Sequence, residues 1–349
     1  MNITLLVGEI KMKSCIELCS DYNGKISAVN YLKGFSIFTI ALMHLLGFIT
    51  ELPKIILTMS SIGGTGAHVF FLCSGIGLYT SYLKHKQSYF EFLKKRFFKI
   101  YIPYIIIILM AFFTPWLYYG DNRLTALLSH IFLFKMFSPM YEVSFGVPFW
   151  FISTIFQFYI LFIPMCWIKD KLKNNKIFFL IFLGLSVIWW IFCYCFGISE
   201  IRCWGSFCLQ YIWEFALGFI LAEYFFYNKK IIINNFVLIV FAILGIGLQT
   251  VLALCSDVLK GFNDIPALIG YTSLALLLGN ISFINKLFQK LSSFSYEFYL
   301  IHTLVFAAIF HLLQPEGLLI QCFVSVGAMI IALGTSYFYN RVIKKIKIV

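Results

Sequence analysis

The stretch Val29-Asn30-Tyr31-Leu32-Lys33-Gly34-Phe35-Ser36-Ile37-Phe38-Thr39-Ile40-Ala41-Leu42-Met43-His44-Leu45-Leu46-Gly47-Phe48-Ile49 decides the fold. It is apolar except for one lysine, one histidine and a few small polar residues. As a helix rising about 1.5 Å per residue it is about 30 Å long, the thickness of a bilayer's hydrocarbon core. Nine more runs of this kind follow, at Ile62–Leu83, Ile100–Tyr119, Pro148–Ile168, Ile177–Gly197, Phe207–Phe226, Ile232–Leu252, Asp264–Ile284, Phe294–Leu313 and Leu318–Tyr339. Leu124–Phe137 is also apolar but short, and His130 and Lys135 interrupt it; it reads as an interfacial or re-entrant helix. The expected fold is all-α, a polytopic transmembrane bundle of about ten spans.

Composition agrees. Of 349 residues, 61% are apolar and 12% charged, with a mean hydropathy of +0.90. Soluble chains carry about a quarter charged residues, so this one lacks the polar material to coat a water-facing surface. The net charge of +12 does not point to nucleic acid, because the charges sit in short clusters between apolar runs. They mark topology and contact with anionic membrane lipid. Of 27 basic residues, only Lys54, Arg123, Lys135, Arg202 and Lys260 fall in outward segments if the N-terminus is inside, and Lys33 lies within the first span. The positive-inside rule then puts both termini in the cytoplasm. Residues 1–26 form a cytoplasmic segment, 27–340 the membrane domain and 341–349 a basic tail. The cysteines show no zinc-binding spacing; Cys203 and Cys208 can pair if they face an oxidising compartment.

Polar groups inside spans carry the functional information, since a charge at the bilayer centre costs about 3 kcal/mol on insertion scales. Lys33 and His44 are eleven positions apart, which returns both to nearly one face of a helix, about 16 Å apart along its axis. Lys33 then reaches the cytoplasmic headgroups and His44 the bilayer interior. Snorkelling accounts equally for the lysine, and an interhelical hydrogen bond for the histidine. Gly63-Gly64-Thr65-Gly66-Ala67-His68 permits an unwound start or close backbone packing in the second span. Arg96 and Lys99 share a helix face and can grip a phosphate or mark topology alone. Trp150 fits an interfacial anchor, and Gln157 needs a partner. Glu214 lies in the sixth span, and Ser295, Tyr296, Glu297, Tyr299 and His302 lie in the ninth. Convergence of His44, His68 and His302 on one cavity would suit proton transfer to or from a hydroxyl. These residues alone imply a membrane enzyme or a proton-coupled transporter.

In these motifs the chain resembles acyltransferase family 3, bacterial integral membrane O-acyltransferases. That family's first span carries an arginine, ten residues and a histidine; here Lys33 and His44 keep the spacing. Its glycine-rich start followed by Phe-Phe-x-x-Ser-Gly matches Gly64 to Gly75, with His68 where many members have aspartate. Arg96, Lys99 and Pro103 match its basic pair before a proline-bearing span. Trp150, Ser153, Gln157 and Tyr159 match a fourth motif, with Ile155 where many members have glutamate. Ser295-Tyr296 through Tyr299-Leu300 and His302 match a fifth.

The resemblance implies transfer of an acyl group, usually acetyl, from cytoplasmic acyl-CoA to a hydroxyl of a cell-surface or lipid-linked carbohydrate. It implies an enzyme of the cytoplasmic (inner) membrane that needs no metal. His44 would be the central catalytic residue as general base or acyl relay, with His68 and His302 beside it. Lys33, Arg96 and Lys99 would hold the CoA phosphates, and Trp150, Ser153, Gln157, Tyr159, Tyr296 and Glu297 would meet the substrate. A polytopic glycolipid or polysaccharide exporter or polymerase is the competing expectation; it needs no CoA.

Overall fold

The computed structural model describes residues 14–20, 26–117, 122–227, 229–255 and 262–346. Lys11, Lys13, Lys25, Lys260 and Lys347, which entered the topology count, lie outside them. The described chain is helical apart from one short strand pair, and it is a multi-pass membrane protein. Helix α1 runs Ser27–Leu46. α2 (Lys54–Ser60) passes through a 3-10 turn at Ser61–Thr65 into α3 (Gly66–Lys84). This is the unwound start that the glycines allowed. α4 (Tyr89–Phe112), α5 (Arg123–Ile131), α6 (Trp150–Leu172), α7 (Asn175–Cys195), α8 (Arg202–Gly205) and α9 (Cys208–Phe226) follow. α10 (Asn235–Cys255), α11 (Asp264–Gly279), α12 (Ser282–Ser292), α13 (Ser295–Leu313) and α14 (Leu318–Lys345) complete the bundle.

Among the described residues eight helices are long and apolar enough to cross a membrane, or nine with a bent pair counted as one. α4 stays outside that set although it has 24 residues, because Glu91, Lys94, Lys95, Arg96 and Lys99 crowd its first turns. The expected span Asp264–Ile284 is instead the bent pair: α11 and α12 turn by 116° at the break that follows Gly279. Asn285, Lys286 and Lys290 make α12 amphipathic, so it lies flat with Phe288 and Leu291 buried while its polar face stays out. The expected span Ile232–Leu252 also starts differently. Ile231–Asn234 is a strand, β2, antiparallel to β1 (Cys15–Leu18), with Cys15 opposite Asn234 and Leu18 opposite Ile231. Consecutive β-branched isoleucines favour the strand, and Lys230 pairs with Glu17 at 2.7 Å beside it.

The interior is built of α1, α3, α6, α9 and the first half of α13, which bury bulky aromatic and aliphatic side chains. The periphery is inverted. α10 buries only Leu238, Ala242 and Gly245 and turns Phe236, Ile243, Leu244 and Leu254 outward. α14 turns out Leu319, Phe323, Ile330 and Phe338. So large an apolar surface is stable only against lipid. With lipid outside, helices associate through small residues that let backbones touch. A Cβ on Gly75 would sit 2.3 Å from the Phe215 carbonyl, and one on Gly218 would sit 2.6 Å from the Leu72 carbonyl, so α3 and α9 meet backbone to backbone. Gly34 is tighter still: its Cβ would lie 1.8 Å from the Phe288 carbonyl, which locks α12 across α1.

The segment expected to lie at the interface, Leu124–Phe137, is α5 followed by 3-10 turns, with Leu133 in the left-handed region. Its two polar interruptions are buried and used. Ser144 Oγ donates to the Tyr141 carbonyl at 2.6 Å, so it accepts from His130 Nε2 at 2.8 Å. His130 Nδ1 is thereby left to accept from the Tyr104 hydroxyl at 2.6 Å. Lys135 donates to the Ser144 and Gly146 carbonyls, and burial pushes its amine down to about 7. These bonds fix the turn that leads into α6. Cys203 and Cys208 are both free thiols rather than a disulfide; Cys208 is buried at the start of α9, and Cys203 faces Glu142.

Candidate active site

A cavity of about 430 Å³ lies in the bundle. α1 contributes Lys33, Met43 and His44, and α3 with its preceding turn contributes Gly64, Ala67, His68 and Ser74. Trp150, Ile155 and Tyr159 of α6, Tyr211 of α9, and Tyr296 and Tyr299 of α13 close it, with Arg202 at one side. The face shared by Lys33 and His44 is therefore turned inward, as their spacing required. Lys33 also lines a second groove, about 410 Å³, with Asn30, Thr80, Ser81 and Lys84 between α1 and α3. One side chain thus borders both the chamber and the basic end of the bundle.

His44 Nδ1 lies 2.9 Å from His302 Nε2, and His302 Nδ1 lies 2.8 Å from the Phe298 carbonyl. The carbonyl can only accept, so His302 carries its proton on Nδ1. With both rings neutral, His302 Nε2 accepts from His44 Nδ1–H. His44 Nε2 is then a free lone pair on a ring that faces the chamber. For neutral rings the hydrogen-bond pattern assigns these tautomers, and the two rings stack with centroids 5.2 Å apart. His302 does not line the cavity; it stands behind His44, fully buried. The three expected histidines gather, but as two walls and one support.

His68 is held differently. Its Nδ1 contacts Glu214 Oε1 at 2.5 Å, and its Nε2 faces Asp264 Oδ1 at 3.9 Å. Gln210 donates to the other Asp264 oxygen at 2.7 Å. Glu214 is fully buried, and its second oxygen has no hydrogen-bond partner among the described residues. One ligand atom from each of His68, Glu214 and Asp264 lies within 4.8 Å of the others, a donor set that can also take a cation, although the ring and carboxylates already satisfy one another.

At the basic end Lys33, Arg96 and Lys99 have no ion-pair partner among the described residues. Lys99 lies within electrostatic reach of Arg96, Lys33 and Glu297. Arg96 lies over the Phe92 ring at 5.7 Å. Tyr296 donates to the Ile100 carbonyl at 2.6 Å and Tyr339 to the Pro103 carbonyl at 2.8 Å, bracing α4 around its proline.

A family model described as an acyltransferase domain matches residues 26–337, nearly the whole chain. The chain belongs to that acyltransferase family. No curated protein matches it, and no solved structure does. It is a membrane acyltransferase.

Of the residues singled out in sequence, this acyltransferase brings Lys33, His44, His68, Trp150, Tyr159 and Tyr296 to one cavity. Six others do not line it: His302 stands behind His44, Arg96 and Lys99 lie on α4 outside the lining, and Gln157, Ser153 and Glu297 are elsewhere. Gln157 accepts from the Cys208 backbone N–H at 3.0 Å and so caps α9, which satisfies the partner its depth demanded. Ser153 is buried in α6, and Glu297 is buried at the start of α13, within electrostatic reach of Lys99 but not paired with it. Neither lines the chamber. Sequence reasoning did not assign Arg202, Tyr211, Tyr299 or Asp264 to the acyltransferase cavity and its histidines. Glu214 and Asp264 carried a readable signal, as carboxylates at or inside apolar spans. Arg202 carried none, because one outward arginine resembles any other.

Proposed function

We propose that this acyltransferase moves an acyl group, acetyl above all, from cytoplasmic acyl-CoA to a hydroxyl of a cell-surface or lipid-linked carbohydrate at the inner membrane. The observation that carries this is the ladder from His44 through His302 to the Phe298 carbonyl, which leaves His44 Nε2 as a free base in a chamber that Lys33 also borders. The thioester enters from the basic end. Lys33, Arg96 and Lys99 bind the CoA phosphates, which suits cations without carboxylate partners. The acceptor hydroxyl gives its proton to His44 Nε2 while its oxygen attacks the thioester carbonyl. The carbon–sulfur bond then breaks, and His44 returns the proton to the leaving CoA sulfur, giving ester and free thiol. His302 is a positioning residue that fixes the His44 tautomer. His68, with both ring nitrogens turned to Glu214 and Asp264, forms the opposite wall of the chamber and positions the acyl group rather than donating to it. Trp150, Tyr159 and Tyr296 wall the reacting groups from lipid.

The test is release of CoA thiol and formation of an ester by purified protein in lipid nanodiscs supplied with acetyl-CoA, alongside mass spectrometry of surface glycans with and without the gene. Ester formation that requires acetyl-CoA and disappears in His44→Ala supports the reading. Glycan acylation unchanged by His44→Ala overturns it.

A further inference from the structure

A further cavity of about 300 Å³ sits at the opposite end of the bundle from Lys84, next to the chamber. The turn after α7 gives it Ser199, Glu200 and Arg202, and the start of α11 gives it Phe262, Asn263 and Asp264. Trp190 of α7 forms one wall, with Phe262 set edge-on to it at a centroid separation of 6.0 Å. Two of its residues, Arg202 and Tyr211, line the chamber as well. Asp264 lines this cavity and faces His68, which lines the other. The two spaces therefore share a thin polar partition.

Three features ask for a hydroxyl-rich ligand. Trp190 is buried, and its indole N–H has no acceptor among the described residues. A buried donor left unpaired costs about 1–3 kcal/mol, so a ligand oxygen that reaches it from the Trp190 wall of this cavity would relieve that cost. The Asn263 side chain also makes no hydrogen bond within the described residues. Among the described residues Arg202 has no carboxylate partner and rests over the Trp150 ring at 5.7 Å, which leaves its guanidinium able to turn to either cavity. Aromatic faces framed by planar amide, carboxylate and guanidinium groups match the alternating apolar faces and equatorial hydroxyls of a sugar ring.

The geometry points to this outer cavity as the subsite that binds a pyranose ring of the acceptor, with the sugar packed against Trp190 and Phe262 and one hydroxyl passing between Arg202 and Tyr211 toward His44. The inference rests on the acyl-transfer reading and names where its acceptor binds. Tyr211 is a fixed post of the partition, since its hydroxyl donates to the Gly205 carbonyl at 2.8 Å; Arg202 is the side that can yield.

The test is binding of a panel of methyl glycosides (glucose, galactose, mannose, rhamnose and N-acetylglucosamine) to the purified protein by saturation-transfer NMR, without acyl-CoA. At least one glycoside binds the wild type. Trp190→Phe keeps the ring but removes the donor, and it weakens that glycoside by about three- to tenfold. Trp190→Ala abolishes binding, and Asn263→Ala gives a loss like that of Trp190→Phe. In turnover, Trp190→Phe raises KM for the glycoside and leaves KM for acetyl-CoA as it was. Binding unchanged by both Trp190 variants overturns the subsite, as does absence of binding by every glycoside. Thiol release that depends on His44 is read in a separate assay, so the subsite can fail while acyl transfer stands. If no acyl transfer occurs while glycosides still bind at Trp190, it is the acyl-transfer reading that fails.

Discussion

His44 and His68 face one chamber from neighbouring helices, yet their surroundings have opposite electrical character. Behind His44 stands a neutral ladder, ring to ring to backbone carbonyl. Around His68 stand two buried carboxylates, one of them fixed by Gln210. A low-dielectric interior magnifies such differences. The first arrangement presents a lone pair, and the second holds a proton in an acidic cradle. One residue type thus supplies two chemistries, and its partners rather than its position in the motif decide which.

The contrast can be broken by mutation. His44→Ala should lower acyl transfer by about 10²–10⁴-fold at normal protein level, measured as CoA thiol release. His68→Ala should cost up to about 100-fold in kcat by misplacing the acyl group, and Glu214→Gln should give a smaller loss with KM for acetyl-CoA unchanged. If His68→Ala matched wild type, the acidic cradle would be only structural. His302→Phe keeps the stacking but removes the acceptor, and it should cost up to about 100-fold by freeing the His44 ring to turn. Unlike His44→Ala, it should leave measurable activity, because the His44 ring and its Nε2 remain in the chamber. The smallest effect falls on the donor side. Lys33→Ala should raise KM for acetyl-CoA by about tenfold with little change in kcat, and Lys33→Arg should recover most of it. Equal loss in both would remove the phosphate contact from Lys33.

The inward face of α1 was legible because a helix returns every eleven residues to nearly one direction, and only Lys33 and His44 break the apolar run there. The glycines of the second span allowed an unwound start or close packing, and the structure has a 3-10 start and close packing together. What stayed hidden depended on distance in space. The partners of His68 come from α9 and α11, and nothing in the spacing of Glu214 and Asp264 relates them to it. Gln157 was correctly marked as needing a partner, but a backbone N–H across two helices was not foreseeable. The bend between α11 and α12 went unread because hydropathy averages over a run and does not register where it turns. The β1–β2 pair was missed because Ile231-Ile232-Ile233 is as apolar as the span that follows it.

The contact of Gly34 with the Phe288 carbonyl reaches beyond packing. It pins α1 one residue from Lys33, so His44 stands at a set height on a graduated rod whose zero mark is fixed. Inserting a single alanine between Thr39 and Ile40 would lift His44 by about 1.5 Å and swing it through about 100°. It would leave the gauge with the right divisions on the wrong side.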